Sequence, residues 1–250
     1  MGVKQIALVT GGYRGIGLAV SESLLKAGYK VYVNARSSLD KIEDKLKQLQ
    51  GIGEAEYLKF DVRDTKSIEA AAQSLDGETI DLLVNNAGIL KDNLLCSIED
   101  EDWLSIIDTN FGGVIRVSDY FFSNLNKSFN PVVINMGSIS GVRPRAGQGA
   151  YAVSKAMVNS YTKAKAAESK SVRYVSISPG PVATDMIKSA PWYQDKRAFG
   201  MIPLRRFAEP EEIGELVLLI AKEDSPFVSG ENIVFDGGFI QTTKGDYRNG

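Results

Sequence analysis

The 250-residue sequence contains no histidine and a single cysteine, Cys96. Without histidine, a serine or cysteine nucleophile has no imidazole base, so Ser-His-Asp and Cys-His hydrolysis are excluded, as are the usual zinc sites. One cysteine permits no internal disulfide, which fits a reducing compartment, and without a base Cys96 reads as structural filler. An excess of charge of one sign is also lacking. The 29 basic and 31 acidic side chains are interleaved to a net charge of −2, so no global field draws the chain to nucleic acid or anionic lipid. No run approaches the ~20 apolar residues that span a bilayer, and the N-terminus shows no leader pattern. The expectation is a cytoplasmic protein with neither a nucleic-acid nor a membrane partner.

What is present is a chain with 44% hydrophobic residues, enough to bury one large core, and residues 1–250 are expected to form a single domain. Apolar runs recur at Gln5–Val9, Lys30–Val33, Ala55–Phe60, Ile80–Val84, Val132–Met136, Arg173–Ile177 and Asn232–Phe235. Helical periodicity lies between them, over about Ile16–Ala27, Asp40–Gln50, Thr65–Leu75, Asp100–Asn124, Ala150–Glu168 and Glu211–Ala221. Strands separated by helical crossovers predict a doubly wound α/β Rossmann fold, a seven-stranded parallel sheet covered by helices on both faces. The stretch 181–206 breaks this rhythm with Pro181, Pro191, Pro203, Trp192, Tyr193 and Phe199, and is read as a lid over an apolar substrate.

The run Thr10-Gly11-Gly12-Tyr13-Arg14-Gly15-Ile16-Gly17 joins the first strand to the first helix. A glycine-bearing turn ahead of a helix leaves N–H groups and the positive end of the helix dipole facing outward, an anion site suited to a dinucleotide pyrophosphate. Turns before helices are glycine-rich for steric reasons too, so this run alone decides nothing. A second set of residues adds chemistry. Tyr151 and Lys155 stand four apart on a helix and so share a face. An ammonium beside a phenol favours the phenolate, making a usable proton donor and acceptor. Ser138 closes a strand at its carboxyl end, Asn85-Asn86-Ala87-Gly88 ends another, and Asn110 sits mid-helix, where asparagine is disfavoured without a task.

Taken together, Thr10-Gly-x-x-x-Gly-x-Gly17, Asn85-Asn-Ala-Gly88, Asn110, Ser138, Tyr151-x-x-x-Lys155 and Pro179-Gly180 resemble the short-chain dehydrogenases/reductases from residue 5 to about 240. The resemblance implies that Ser138 polarises a carbonyl, that Tyr151 moves the hydroxyl proton, and that Lys155 grips the nicotinamide ribose and lowers the phenol pKa. Asn110 would hold a water of the proton relay. Cofactor contacts would come from Gly11, Tyr13, Arg14, Gly15, Ile16, Gly17, Asn34, Arg36, Asp61, Val62, Asn86, Ala87, Gly88, Tyr151, Lys155, Pro179, Gly180, Val182 and Thr184. The position of the acid that reads the ribose hydroxyls in NAD-dependent relatives is Ala35 here. Arg36 and Arg14 resemble the basic pair of NADP-preferring members, and two guanidiniums can clamp a 2′-phosphate. NADP(H) is therefore the expected cofactor.

Within the family, Lys91-Asp92-Asn93-Leu94-Leu95, Asp102-Trp103, Asp108-Thr109-Asn110 and Asp236-Gly237-Gly238 are most similar to 3-oxoacyl-(acyl-carrier-protein) reductases. The implied substrate is an acyl thioester, of fatty-acid or polyketide type, in a homotetramer. Phe111, Val114, Phe121, Met157, Val158 and Tyr161 would suit subunit contacts or could face the sheet. Arg143, Arg145, Lys196, Arg197, Arg205 and Arg206 would suit docking of an acidic carrier protein. Lys127-Ser128-Phe129 and Arg173-Tyr174-Val175 depart from the fatty-acid reductases and leave carrier protein or coenzyme A open. Other ketone substrates, and a non-catalytic NADP(H)-binding regulator, also stay open.

Overall fold

A computed structural model describes residues 4–188, 200–222 and 227–242. Seven strands, β1 Ile6–Val9, β2 Lys30–Ala35, β3 Ala55–Lys59, β4 Leu82–Asn85, β5 Val132–Met136, β6 Arg173–Pro179 and β7 Asn232–Phe235, form one sheet in the order β3-β2-β1-β4-β5-β6-β7. Every pairing is parallel. Alternation along the strands divides the core in two. Ala7, Val9, Val33, Val84 and Ile134 pack with Val20, Leu24, Ile213 and Val217 on one face. Leu8, Tyr32, Leu83 and Val133 pack with Ile68, Val117, Phe121 and Leu125 on the other. The central strands β1, β2, β4, β5 and β6 are buried on both sides, which is why their runs read as largely apolar segments, whereas the edge strands β3 and β7 are partly exposed.

The helices are α1 Gly15–Lys26, α2 Glu43–Gln50, α3 Thr65–Ser74, α4 Asp100–Ile107, α5 Gly113–Tyr120, α6 Phe122–Leu125, α7 Gly149–Glu168, α8 Asp185–Lys188 and α9 Pro210–Ala221. Local chemistry sets several starts: Asp64 caps α3 by accepting from the Lys66 N–H at 3.1 Å, and Pro210 opens α9. Helix α2 is preceded by a 3-10 turn, Leu39–Lys41, rather than beginning at Asp40. The segment expected as one helix, Asp100–Asn124, is interrupted by a π-turn over Asp108–Gly112 and a break at Phe121. Gly113, directly after the π-turn, permits a tight approach to the segment that follows β3: a Cβ there would lie 2.9 Å from the Val62 side chain. Strand order reverses between β1 and β4, so their carboxyl ends open a crevice where this architecture binds ligands.

Candidate active site

That crevice is a cleft of about 1380 Å³ along the carboxyl ends of the strands. Its β1 end is built by the glycine turn. Gly11 and Gly15 have φ of +63° and +53°, conformations that side chains with a Cβ rarely adopt. A Cβ on Gly17 would stand 2.3 Å from the Gly11 carbonyl oxygen, so helix and turn can close only on glycine. Arg14, at the N-cap of α1, makes no side-chain cap, and the first turn holds no acid. The N-terminal N–H groups of α1 therefore present a positive field that no carboxylate of the first turn offsets. Thr10 ties this turn to β4: its hydroxyl oxygen accepts from the Asn86 and Ala87 N–H groups at 2.8 and 3.0 Å.

Further along the cleft, Ser138 leaves β5, and Tyr151 and Lys155 project from the first turns of α7. Lys155 is buried, and its Nζ donates to the Met136 carbonyl at 2.7 Å and lies 5.8 Å from the Tyr151 ring centroid. Desolvation pulls its pKa down to about 8. Burial pushes the Tyr151 phenol up, the Ser138 hydroxyl draws it part of the way back, and the Asp92 charge raises it. This differs from the expectation that the lysine lowers the phenol. In this structure the ammonium is engaged with a main-chain carbonyl, and Ser138 is the group that favours the phenolate.

Most of the expected residues line this one cleft; Gly17 and Asn110 stand behind its wall. Asn110 is fully buried in the π-turn, where its Nδ2 donates to the Ile89 carbonyl and the Ser154 hydroxyl, both at 3.0 Å, and its Oδ1 accepts from the Ile89 N–H at 2.8 Å. The amide expected to hold a water is thus spent on fixing the segment after β4. Asn34 is likewise buried, donating to the Leu58 and Phe60 carbonyls and accepting from the Gly11 N–H. It acts on the cofactor region through the glycine turn. The Asp61 carboxylate pairs with Arg63 at 2.8 Å, which holds its pKa low.

Of the arginines read as docking residues, Arg206 pairs with Glu212 through both guanidinium nitrogens, and Arg143 donates to the carbonyls of Phe239, Ile240 and Thr242. Trp192, Tyr193, Lys196, Arg197 and Phe199 lie outside the described residues. Val114, Phe121 and Val158 are buried in the chain's own core rather than offered to a partner. Sequence reasoning missed Ser140, Gln148 and Phe239, which also line the cleft. The spacing of Ser140 from Ser138 was the one available signal.

Comparison with known proteins meets the same frame. A family model described as enoyl-(acyl carrier protein) reductase matches residues 11–240. The chain is a short-chain dehydrogenase/reductase. Such an enzyme is an oxidoreductase acting on CH–OH and C=O groups with a nicotinamide dinucleotide. Its relatives include the 3-oxoacyl-(acyl-carrier-protein) reductase FabG of Vibrio harveyi, 37% identical over 94% of this chain and 96% of the relative. That of Pseudomonas aeruginosa is 34% identical over 95% and 98%. A solved Agrobacterium tumefaciens protein named provisionally as a gluconate dehydrogenase superposes with a TM-score of 0.90, at 29% identity over 96% of this chain and 97% of that one. The dinucleotide of a short-chain dehydrogenase/reductase fits the residues present. The glycine turn and open helix end suit a pyrophosphate, and the buried cleft-lining Thr109 hydroxyl has no partner among the described residues. Among the described residues no helix is long and apolar enough to cross a membrane.

Proposed function

We propose that this chain is an NADPH-dependent ketoreductase that converts a 3-oxoacyl thioester, on acyl carrier protein or coenzyme A, to the 3-hydroxyacyl product. The observation that carries the proposal is the convergence of Ser138, Tyr151 and Lys155 on one wall of the cleft whose other end is the glycine turn. Ser138 donates to the substrate carbonyl and holds it against the phenol. Tyr151 delivers its proton to the carbonyl oxygen as the alkoxide develops. Lys155, buried beneath Tyr151 and anchored on the Met136 carbonyl, holds the ribose, and the Ser138 hydroxyl favours the phenolate left behind. Asn110 keeps the segment after β4 fixed to α7 through Ser154, whose hydroxyl donates to the Tyr151 carbonyl at 2.7 Å. The bound dinucleotide supplies the hydride. Arg14 and Arg36, exposed at the cleft's β2 end and without a carboxylate ion pair among the described residues, receive the 2′-phosphate. The names of the FabG relatives support the thioester, and the gluconate dehydrogenase likeness supports a small hydroxy acid as a second reading.

The chain works in this reading as a cytoplasmic homotetramer, with Leu104, Phe111, Met157 and Tyr161 available for subunit contacts, and sizing chromatography reads this directly. The activity test follows nicotinamide absorbance with NADPH and 3-oxobutanoyl thioesters of carrier protein and coenzyme A, with gluconate and NADP as the comparison. Thioester reduction that Tyr151→Phe lowers by about 10²- to 10⁴-fold, with NADPH binding retained, is the expected result. Absence of reduction across the thioesters rejects the substrate class, and undiminished turnover in Tyr151→Phe rejects the phenol as acid.

A further inference from the structure

We infer that Arg145, with Arg205, forms an anion-binding subsite on the substrate side of the cleft, so that the substrate carries an ionised group, either on its acyl tail or on the arm that bears the thioester. The inference rests on the ketoreductase reading of this site. Both arginines line the cleft and are exposed, and neither forms an ion pair with a carboxylate among the described residues. Arg205 makes one long bond, to the Gly200 carbonyl at 3.4 Å, whereas the neighbouring arginines are more fully engaged: Arg206 is paired with Glu212, Arg143 is held by three carbonyls, and Arg63 holds Asp61.

Arg145 is also tied to the reacting end. Its Nη2 donates to the Gln148 Oε1 at 3.5 Å, the same oxygen that accepts from the Ser140 hydroxyl at 3.0 Å, and the Ser140 N–H donates to the Ser138 Oγ at 3.1 Å. The guanidinium therefore stands within two hydrogen-bond lengths of the Ser140 hydroxyl, whose own backbone holds the serine that faces the carbonyl. Its guanidinium carbon lies 5.7 Å from the Phe239 ring centroid, over a turn that Arg143 pins through the carbonyls of Phe239, Ile240 and Thr242. The platform is thus fixed before a ligand arrives. Arg205 comes from the other side of the same turn. Its preceding residue packs against Gly237, and its φ of +58° is the only left-handed conformation among the described non-glycine residues. A charged residue held where glycine would fit without strain is a mark of a functional position. A guanidinium in this setting offers a fork of donors to a carboxylate or a phosphate.

The two sources of negative charge are separated with three substrates and NADPH: the uncharged 3-oxobutanoyl thioester of N-acetylcysteamine, the N-acetylcysteamine half-thioester of 3-oxoglutarate, and the 3-oxobutanoyl thioester of phosphopantetheine. Arg145→Met is expected to lower kcat/KM on a charged substrate by roughly tenfold or more while leaving the uncharged one unchanged, with Arg145→Lys restoring part of the loss. Selective loss on the 3-oxoglutarate derivative assigns the charge to the acyl tail, and selective loss on the phosphopantetheine derivative assigns it to the arm. Equal losses on all three substrates, or no loss on any, would overturn the subsite. Should the wild type reduce none of them, the ketoreductase reading falls by itself. The subsite is then judged by calorimetric titration with malonate: binding lost in Arg145→Met upholds it, and equal binding overturns it.

Discussion

Replacing Lys155 with Met should alter the pH dependence of stability by an amount set by the burial of one ammonium. Desolvation lowers its pKa from 10.5 to about 8 in the folded chain, a difference of roughly 3 kcal/mol between the two protonation states. The sign follows from proton linkage. Below pH 8 the lysine is charged in both folded and unfolded chains, and the full desolvation penalty weighs on the fold. Between pH 8 and 10.5 the folded chain gives up its proton while the unfolded chain keeps it, so stability rises with pH. Above 10.5 the penalty is gone. Met keeps the length of the apolar stem and removes the charge together with the 2.7 Å bond to the Met136 carbonyl, a loss that shifts the comparison by a constant. Urea unfolding of both proteins at pH 7, 9 and 10.5, compared as differences so that other titrating groups cancel, should show the wild type gaining about 3 kcal/mol on Lys155→Met across this range. A difference that stays flat with pH would refute the assignment of a buried, proton-binding lysine.

Gly17→Ala places a Cβ 2.3 Å from the Gly11 carbonyl oxygen and 2.5 Å from the Asn86 Nδ2, so it should destabilise by about 1–3 kcal/mol and weaken dinucleotide binding. Unchanged urea midpoint and dinucleotide titration would contradict the close packing. Asn110→Ala leaves the Ile89 N–H and carbonyl without their partner, at about 1–3 kcal/mol for a buried group so stranded, while the Ser154 hydroxyl keeps its bond to the Tyr151 carbonyl. Hydrogen exchange at the Ile89 amide should accelerate; an unaltered rate counts against the clamp. Arg36→Ala should weaken NADPH by about tenfold and leave NADH nearly as it was, whereas equal losses for both would show that Arg36 does not read the phosphate.

The sheet was legible because its central strands are buried on both faces: runs such as Val132–Met136 are apolar at all positions but Asn135 and are buried throughout. Helix ends were legible to within a residue or two where a cap or proline marks them, as at Asp64 and Pro210. The π-turn at Asp108–Gly112 was not, because one added residue in a helical turn leaves the apolar spacing of Asp100–Asn124 almost intact. The residue types at the site could be read from motif spacing, but their working states could not. Whether an asparagine faces a ligand or is saturated by carbonyls, as Asn34 and Asn110 are, depends on contacts between segments far apart in sequence. The same holds for the arginines: Arg206 meets the Glu212 carboxylate, and Arg145 meets Gln148 and the Phe239 ring.

Strand β1 lies near the middle of the sheet although it is the first strand in sequence order, with β2 on one flank and β4 on the other. On an emerging polypeptide its first flank can be satisfied once Ala35 has been made, but the second stays open until Leu82–Asn85 arrive. Non-local parallel pairing of this kind is slow and leaves a sticky edge in the interval. The Thr10 hydroxyl, which waits for Asn86 and Ala87, then closes the gap. A nascent fragment ending before residue 82 therefore exposes an unpaired apolar ribbon, and its capacity to grip a dinucleotide arises late in synthesis.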